Sequence, residues 1–221
     1  MRSFADRAEA GRQLGKALSA YKVENPLTVG LLRGGVLVAH PVWEELGWDL
    51  DVMPLKKLRA PENPELAIGA IGEGEAVYLN MPLIQQLGVK EEYIDDEVAG
   101  RYGDLFEEIQ LYRHGVPRIS PKNRLVILVD DGLATGATMI ASIQVASAQN
   151  PASIVVAVPT GSPDTVEKIR NMKEVSEVVC LWMPEDFGAV GQCYKDFKQV
   201  TDKEVLALLH QVRHSNLSSL Q

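Results

Sequence analysis

Hydrophobic residues recur along the chain at two spacings, one typical of helices and the other of buried strands. Apolar side chains return every three or four positions from residue 3 to about 22, which predicts an amphipathic helix. The same spacing predicts helices that end near Leu46, that cover 90 to about 113, and that run from about Thr138 to Gln149. Short apolar runs predict strands at 27–32, Asp49–Leu55, Ala76–Leu79, Leu125–Val129, Ser153–Val158 and Val175–Trp182. Strands that alternate with helices predict an α/β fold with a mostly parallel sheet.

Capping signals mark two further helices, and one long segment lacks a clear period. Ser162 followed by Pro163 has the order of an N-cap and a first-turn proline, and Thr201 with Glu204 forms a capping box. The segment from Lys56 to Gly74 is rich in proline, glycine and charge. Most of it is therefore predicted to be loop, with one strand candidate at Leu66–Ile71.

Length and composition narrow the class of protein. The 221 residues suit one α/β domain with a modest elaboration. The net charge of −8 argues against a general nucleic-acid binder, which needs a basic face. Cys180 and Cys193 suggest neither a disulfide framework nor a metal site, so a reducing compartment is expected. The first residues are charged where a signal peptide is apolar, and no apolar run approaches the ~20 residues of a membrane span. We expect a cytoplasmic protein with no nucleic-acid and no membrane partner.

The segment Val126–Thr138, VILVDDGLATGAT, carries the clearest candidate chemistry. A buried strand leads into Asp130 and Asp131, which places both carboxylates at the carboxyl edge of the sheet, where open α/β folds bind ligands. The small residues that follow let backbone N–H groups converge, and the next helix adds its positive N-terminal end. Such a nest suits a phosphate, and carboxylates beside it suit sugar hydroxyls or a divalent metal ion. An isolated Asp-Asp pair is equally well a capped strand end, but the full string favours a ligand site.

The string VILVDDGLATGAT resembles the phosphoribosyl pyrophosphate signature of type I phosphoribosyltransferases. The strings DRAEAGRQL, LLRGG, KKLRAPENPELAIGAIGEG and GQCYKDFKQV extend the resemblance to a group of bacterial phosphoribosyltransferases and to nearly the full chain. It implies one type I phosphoribosyltransferase-like domain over 1–221, with a mostly parallel sheet flanked by helices and a small hood built from 80–122 and 184–221. Gly132 departs from the pattern, because many type I enzymes have an aliphatic residue there, and it is expected to loosen the loop.

The resemblance also implies a role for each position of these motifs. Asp130 and Asp131 would hold the ribose 2′- and 3′-hydroxyls and Mg²⁺, directly or through the ligand. The 5′-phosphate would be wrapped by Gly132, Ala134, Thr135, Gly136, Ala137 and Thr138. The pyrophosphate would be cradled by backbone amides of Arg33, Gly34 and Gly35, in conformations that glycine permits. Positive charge would reach the leaving group from Lys56, Lys57 and Arg59, with Lys57 acting in the reaction itself. Without the signature, Arg33-Gly34-Gly35 is an ordinary strand-to-helix turn, and Lys56-Lys57 is a solvated strand end.

The implied reaction replaces pyrophosphate at the anomeric carbon of the ribose through an oxocarbenium-like transition state. Two acids beneath the ring would stabilise its positive charge, while Mg²⁺ neutralises and orients the pyrophosphate. The segment from Lys56 to Gly74 is expected to close as a lid that excludes water, with hinges at Pro61, Pro64, Gly69, Gly72 and Gly74.

No motif identifies the acceptor, for which a nucleobase-like heterocycle is the leading expectation. Three aromatic residues are either core or stacking partners for a flat ring, and their spacing favours core: Phe187, Tyr194 and Phe197. No residue is an evident general acid or base. The four histidines are expected to be structural or solvated: His40, His114, His210 and His214.

Two hypotheses of different classes stay open. The chain lacks the Gly-rich loops of P-loop hydrolases and of dinucleotide-binding domains, which sets both classes aside. A regulatory protein that binds phosphoribosyl pyrophosphate without turning it over remains an alternative, since fold and donor site do not guarantee a reaction. Retention of Lys56 and Lys57 favours an enzyme. A homodimer is expected by resemblance alone.

Overall fold

Strands and helices alternate over residues 27–52 and 125–182, as predicted, whereas the residues between these ranges form three consecutive strands and two helices. The computed structural model describes residues 3–21, 26–114 and 116–218. Within them the elements follow in the order α1 (Arg7–Leu18), β1 (Leu27–Gly30), α2 (Gly34–Leu46), β2 (Asp49–Val52), β3 (Leu55–Ala60), β4 (Asn63–Gly72), β5 (Ala76–Leu79), α3 (Met81–Leu87), α4 (Glu91–Arg113), β6 (Leu125–Val129), α5 (Ala137–Ser147), β7 (Ser153–Thr160), α6 (Pro163–Arg170), β8 (Glu177–Trp182) and α7 (Asp202–Ser218). Short 3₁₀ helices cover Ser19–Tyr21 and Val190–Cys193.

Five strands form a parallel sheet in the order β2-β1-β6-β7-β8. The chain leaves β1 toward one edge of this sheet and leaves β6 toward the other. The two strands lie side by side, with Gly30 opposite Val129 at their carboxyl ends. In open parallel sheets a ligand binds in the crevice where the strand order reverses. The topology therefore places the candidate site just beyond Gly30 and Val129.

The central strand β6 is buried on both faces, which explains its continuous aliphatic sequence. Ile127 and Val129 pack with residues of α1 and α2, among them Leu14 and Val38. Val126 and Leu128 face the opposite side and pack with α5 and α6 residues, including Ile143, Val145, Val166 and Ile169. Alternate side chains of a strand point to opposite faces, so a two-sided core requires apolar residues at every position.

The prediction that Lys56–Gly74 is mostly loop is wrong. Strands β3 and β4 form an antiparallel hairpin that β5 extends into a three-stranded sheet. One reason is that buried Leu58 and Ala60 of β3 alternate with charged residues, and Ile68 and Ile71 of β4 are also buried. The exposed turn at 61–62 joins the two strands, and the register of their pairing shifts on both sides of Arg59. The prolines and glycines of this segment are typical of loops, and they obscured the alternation of buried and exposed residues in its two strands.

The expected lid hinges at Gly69 and Gly72 are packing positions. A Cβ at Gly69 would overlap the carbonyl oxygen of Tyr78, and one at Gly72 would overlap a methyl group of Val145. Both glycines lie in paired strand: the small size of Gly69 lets β4 lie close to β5, and that of Gly72 lets the second sheet sit tightly on α5. Gly74 does have a positive φ of 82°, but it lies in the turn between β4 and β5. In the described residues this segment is a paired hairpin, and its closure over a ligand stays a prediction.

The segments expected to form a hood lie in two places. In the first, 80–122, α3 and α4 cover one face of the second sheet, with Ile84 and Leu105 buried against it. In the second, 184–221 as far as it is described, Cys193 and Tyr194 are buried in a small cluster around Phe4.

Both capping predictions are confirmed: Ser162 Oγ accepts the Thr165 amide, and Thr201 exchanges hydrogen bonds with Glu204. No helix in the described ranges is both long and apolar enough to span a membrane.

Candidate functional site

The loops after β1 and β6 meet at the crevice that the topology defines. The Leu31 amide donates to the carbonyl of Val129 at 2.8 Å, so the two loops begin side by side. The first loop, with a cis peptide bond between Leu32 and Arg33, leads into the N-terminus of α2. The second places Asp130 and Asp131 directly against it. The structure thus brings together two of the segments predicted from sequence.

Gly34 and Gly35 are required by close approach between the loops. A Cβ at Gly34 would overlap the carboxylate of Asp131, and one at Gly35 would overlap the carbonyl of Val129 and lie 3.0 Å from the Cα of Asp130. Neither glycine has a positive φ. The expectation that they supply unusual backbone conformations is therefore wrong. Their role is to let the start of α2 lie against the acidic pair.

The two adjacent carboxylates differ in their surroundings. Burial, and then the charge of Asp131, raises the pKa of Asp130 well above its ordinary value. Burial also raises the pKa of Asp131, against the opposing effect of the Arg7 guanidinium. Asp130 Oδ1 accepts the amide of Asp131 at 2.9 Å. The pair is a concentrated negative charge that the protein compensates at Asp131 far more than at Asp130.

Arg7 is the main residue of the site that the sequence analysis missed. Its Nε donates to Asp131 Oδ2 at 2.8 Å, and its Nη1 donates to the carbonyl of Lys198 at 2.9 Å. Its guanidinium stacks 3.9 Å above the ring of Phe197. The contacts join the first turn of α1 to residues that are 124 and 191 positions away along the chain. Only the string DRAEAGRQL in the family resemblance could have signalled it, because no local pattern assigns such a partner.

The loop between Asp131 and α5 has the form of an anion nest. Its carbonyls are turned outward: the Ser162 amide donates to Leu133 O at 2.9 Å, and the Thr165 hydroxyl donates to Ala134 O at 2.6 Å. In the described part of the chain, the amides of Ala134, Thr135 and Gly136 have no acceptor. Amides left without acceptors before a helix N-terminus form a site for a phosphate.

Two glycines shape this nest in different ways. Gly136 has a φ of 70° and caps α5, a conformation that favours glycine. Gly132 does not loosen the loop, contrary to expectation. The space where its Cβ would lie is filled by Val190, 2.6 Å from the ideal Cβ position. The C-terminal segment thus packs directly against the first residue of the nest.

The predicted basic residues lie on β3, at the edge of the nest. A cavity of about 320 Å³ is lined by Leu55, Lys56, Lys57, Arg59, Pro64, Ala67, Arg101 and Thr138. Thr138 belongs to the first turn of α5, so the cations of β3 and the nest share one opening. Lys56 Nζ lies 3.1 Å from Glu108 of α4, which neutralises part of its charge. Arg101 was not predicted. Arg33, by contrast, turns toward Asp202, 3.6 Å away.

The donor set of the acidic pair fits Mg²⁺. Carboxylate oxygens are ligands that Mg²⁺ prefers, and its sites often combine one or two carboxylates with substrate phosphates and water. The described residues contain no group of three or more His, Cys, Asp or Glu side chains placed around a common point. Burial, and then the negative charge of Asp131, raises the pKa of Asp130, so positive charge at this position would favour its ionised form. A divalent ion shared with a ligand would supply that charge.

Other candidate residues lie outside the site. Tyr194 is buried in the cluster around Phe4, as the core expectation requires, whereas Phe187 and Phe197 are half-buried beside it and their assignment to the core stays a prediction. Tyr194 still supports the acidic pair, because its hydroxyl donates to the carbonyl of Asp131 at 2.6 Å. Burial lowers the pKa of His40, which lies in α2, and His114 caps the end of α4. Among the described residues, neither histidine has a hydrogen bond to the acidic pair.

Known proteins are similar to this chain in both sequence and fold. The family described as "Phosphoribosyl transferase domain" matches residues 6–197. A protein of Mycobacterium tuberculosis strain H37Rv, named "Putative phosphoribosyl transferase Rv0571c", is 40% identical over 209 residues, which are 95% of this chain and 47% of that protein. A relative in strain CDC 1551 matches equally, so the chain spans about half the length of the curated relatives it matches. The crystal structure of TT1426 from Thermus thermophilus is 44% identical, with a TM-score of 0.87 over 96% of this chain and 99% of that one. The chain belongs to the phosphoribosyl transferase domain family.

Proposed function

We propose that the chain transfers ribose 5-phosphate from phosphoribosyl pyrophosphate to a nitrogen of a nucleobase-like acceptor and releases pyrophosphate. The observation that carries the proposal is the junction of the acidic pair with the nest of Ala134–Thr138 at the reversal of strand order. A sugar phosphate needs both halves of such a site, carboxylates for its hydroxyls and amides for its phosphate. Membership in the family supports the choice of donor.

In the proposed complex, the donor lies across the crevice between β1 and β6. The nest holds the 5′-phosphate, the ribose lies over Asp130 and Asp131, and the pyrophosphate lies toward Gly34–Gly35 and Lys57. The bond from the anomeric carbon to the pyrophosphate oxygen breaks, and its electron pair leaves with pyrophosphate. The lone pair of the acceptor nitrogen forms the new bond, and the ring proton that the acceptor then gives up passes to water. The two carboxylates stabilise the positive charge that develops on the ring.

Asp130 and Asp131 would hold Mg²⁺ together with oxygen atoms of the donor. When bound, Mg²⁺ supplies positive charge that neutralises the pyrophosphate and improves it as a leaving group. Arg7 keeps Asp131 in place through Oδ2 and leaves Oδ1 for the ligand. The cations Lys56, Lys57 and Arg59 favour an enzyme over a sensor. Positive charge that stabilises the departing pyrophosphate is needed only by a protein that catalyses its release.

Two broader expectations also enter as proposals. We propose a homodimer, for which Tyr102 and Phe106 of α4 offer an apolar surface; the Phe106 side chain is 61% exposed. A sedimentation mass near that of one 24.2 kDa chain would refute the dimer.

We also propose a cytoplasmic location, from the composition and the reduced cysteines. Fractionation of cells that produce the chain at native level tests it.

The first experiment is calorimetric titration of phosphoribosyl pyrophosphate into the protein, with and without Mg²⁺. Saturable binding that Mg²⁺ strengthens is expected, and no binding at millimolar donor would refute the proposed site. A screen for pyrophosphate release across nucleobases follows. Release with one acceptor supports the transferase, whereas binding without release by any acceptor supports the regulatory alternative.

Replacing Asp130 and Asp131 together by Asn tests the residues. Donor-dependent activity is expected to fall at least ~10²-fold, since the carboxylates stabilise charge in the transition state. Asp95 and Asp96 form an adjacent exposed pair on α4, so their double replacement by Asn makes the same change of net charge away from the site. Equal activities of the two double variants would contradict the assignment.

A further inference from the structure

The last helix carries a pair of histidines that the proposed function does not use. His210 and His214 are exposed and lie one turn apart on the same face of α7. Their ring centroids are 4.1 Å apart, and the two Nε2 atoms share a hydrogen bond of 2.9 Å in which one nitrogen donates and the other accepts, so a metal ion bound here would take the place of the shared proton. Counted from Asp202 at the helix start, they lie about 12 and 18 Å along the axis at 1.5 Å per residue. They are therefore well removed from the end of α7 that faces Arg33.

Two nitrogens that converge in this way are suited to one metal ion. Neutral imidazole is the commonest metal ligand in proteins, and histidines at i and i+4 project from the same helix face. With metal–nitrogen bonds of about 2.05 Å, a nitrogen separation of 2.9 Å corresponds to an angle of about 90° at the metal. A tetrahedral ion would need the nitrogens about 3.3 Å apart.

We propose that His210 and His214 form a binding site for a divalent late transition metal ion that accepts ligands at right angles, namely Ni²⁺ or Cu²⁺. Square-planar and tetragonal coordination by nitrogen is typical of these ions. Mg²⁺ prefers oxygen ligands, so the site is chemically distinct from the acidic pair. The described residues add no third His, Cys, Asp or Glu to a common metal-binding group, so water completes the coordination.

Metal binding at this site should stabilise the end of α7. The opposite side of the helix is anchored by buried Val205, Leu209 and Val212, and Arg213 donates to the carbonyl of Tyr112 at 2.7 Å. A metal that bridges residues 210 and 214 links two successive turns in the part of the helix where Val212 and Arg213 are the last of these anchors. Because the ion binds only when those turns are formed, it raises the stability of the folded state by mass action.

Titration with NiCl₂ in a non-coordinating buffer, after chelator treatment and desalting of the whole chain, tests the proposal. One Ni²⁺ per chain is expected to bind, with affinity at least about tenfold lower in His210→Ala and in His214→Ala. His114→Ala is the matched control, because it removes an exposed histidine elsewhere and should leave the affinity unchanged. Thermal melting should show a Ni²⁺-dependent rise in the midpoint only in the proteins that retain both histidines.

Paramagnetic resonance of the Cu²⁺ form gives a direct count of ligands. Splitting from two equivalent imidazole nitrogens is expected in the unaltered chain, and from fewer in either single variant. The same spectrum in Asp130→Asn/Asp131→Asn would show that the signal does not come from the acidic pair. The proposal is overturned if no Ni²⁺ binds, or if affinity survives in both single variants. These outcomes do not depend on whether the chain is a transferase.

Discussion

Asp130 shows how a residue of the proposed donor site is held at a cost in stability. Burial, and next the charge of Asp131, raises its pKa, so the charged form is less favourable in the folded chain than in the unfolded one. The folded state therefore binds more protons between the ordinary aspartate pKa of about 3.9 and the raised value. The resulting destabilisation is absent below that range, grows as pH rises through it, and is complete above it.

Asp130→Asn should accordingly stabilise the protein at neutral pH and abolish the donor chemistry. The Asn side-chain oxygen can still accept the Asp131 amide, so the local structure is kept. Urea titrations should give a higher midpoint than the unaltered chain at neutral pH and no difference near pH ~3.9, where the folded-state penalty disappears. Asp95→Asn on the exposed face of α4 is the control. A gain that persists unchanged in acid would point to a cause other than charge.

Gly34 and Gly100 form a matched pair for the packing of the donor site. Gly34→Ala places a Cβ against the Asp131 carboxylate, and the displacement should weaken donor binding by about tenfold or more. Gly100→Ala adds a methyl group to open space in the middle of α4 and should raise the free energy of unfolding by about 1 kcal/mol. Calorimetry and urea titration on both variants measure these effects. Normal donor affinity in Gly34→Ala would refute the close packing.

At the scale of elements, the central strands and the helix caps were predictable and the β3–β4 hairpin was not. Val126–Val129 is apolar throughout because both faces are covered, and Ser162 with Pro163 is a local signal. In the hairpin, by contrast, Gly69 and Gly72 satisfy contacts with Tyr78 and Val145 that no local pattern shows. When only the sequence is read, a glycine that allows tight packing cannot be distinguished from a glycine that allows flexibility.

The hairpin provides a prediction about motion. If β3 and β4 are a paired sheet rather than a lid, their backbone amides should exchange slowly with solvent in the ligand-free protein. Hydrogen exchange followed by mass spectrometry should show protection across 66–72 and rapid exchange at Glu62, which carries the amide proton of the 61–62 turn. Saturating donor should leave the pattern in 66–72 nearly unchanged. Fast exchange there that slows strongly with donor would restore the lid hypothesis.

At the scale of the whole molecule, a buried ion-pair network joins the two sheets. Arg113, at the end of α4, contacts Asp51 of β2 and donates from Nε to Glu73 Oε2 at 2.9 Å, just after β4. It also donates to the carbonyl of Val52 at 3.0 Å. The relative position of the acidic pair and the basic strand β3 depends on this junction, since each belongs to a different sheet.

Arg113→Met should destabilise the fold by about 3–5 kcal/mol, because it leaves two largely buried carboxylates without their partner. The matched control is Arg170→Met on α6, whose exposed pair with Glu167 should contribute little to the free energy of unfolding. Urea denaturation of both variants makes the comparison. Equal stability of the two would show that the network does not hold the sheets together.

The sequence by itself determined what contiguous residues encode. The parallel sheet follows from aliphatic runs, and the acidic pair and its nest follow from one string, Val126–Thr138. Tertiary structure decided which distant groups meet: Arg7 with Asp131, Arg113 with Asp51, and β3 with Thr138. The physical reason is that periodicity and turn chemistry act over a few residues, whereas ion pairs and close packing depend on folded distance. A single sequence carries no local trace of such partners.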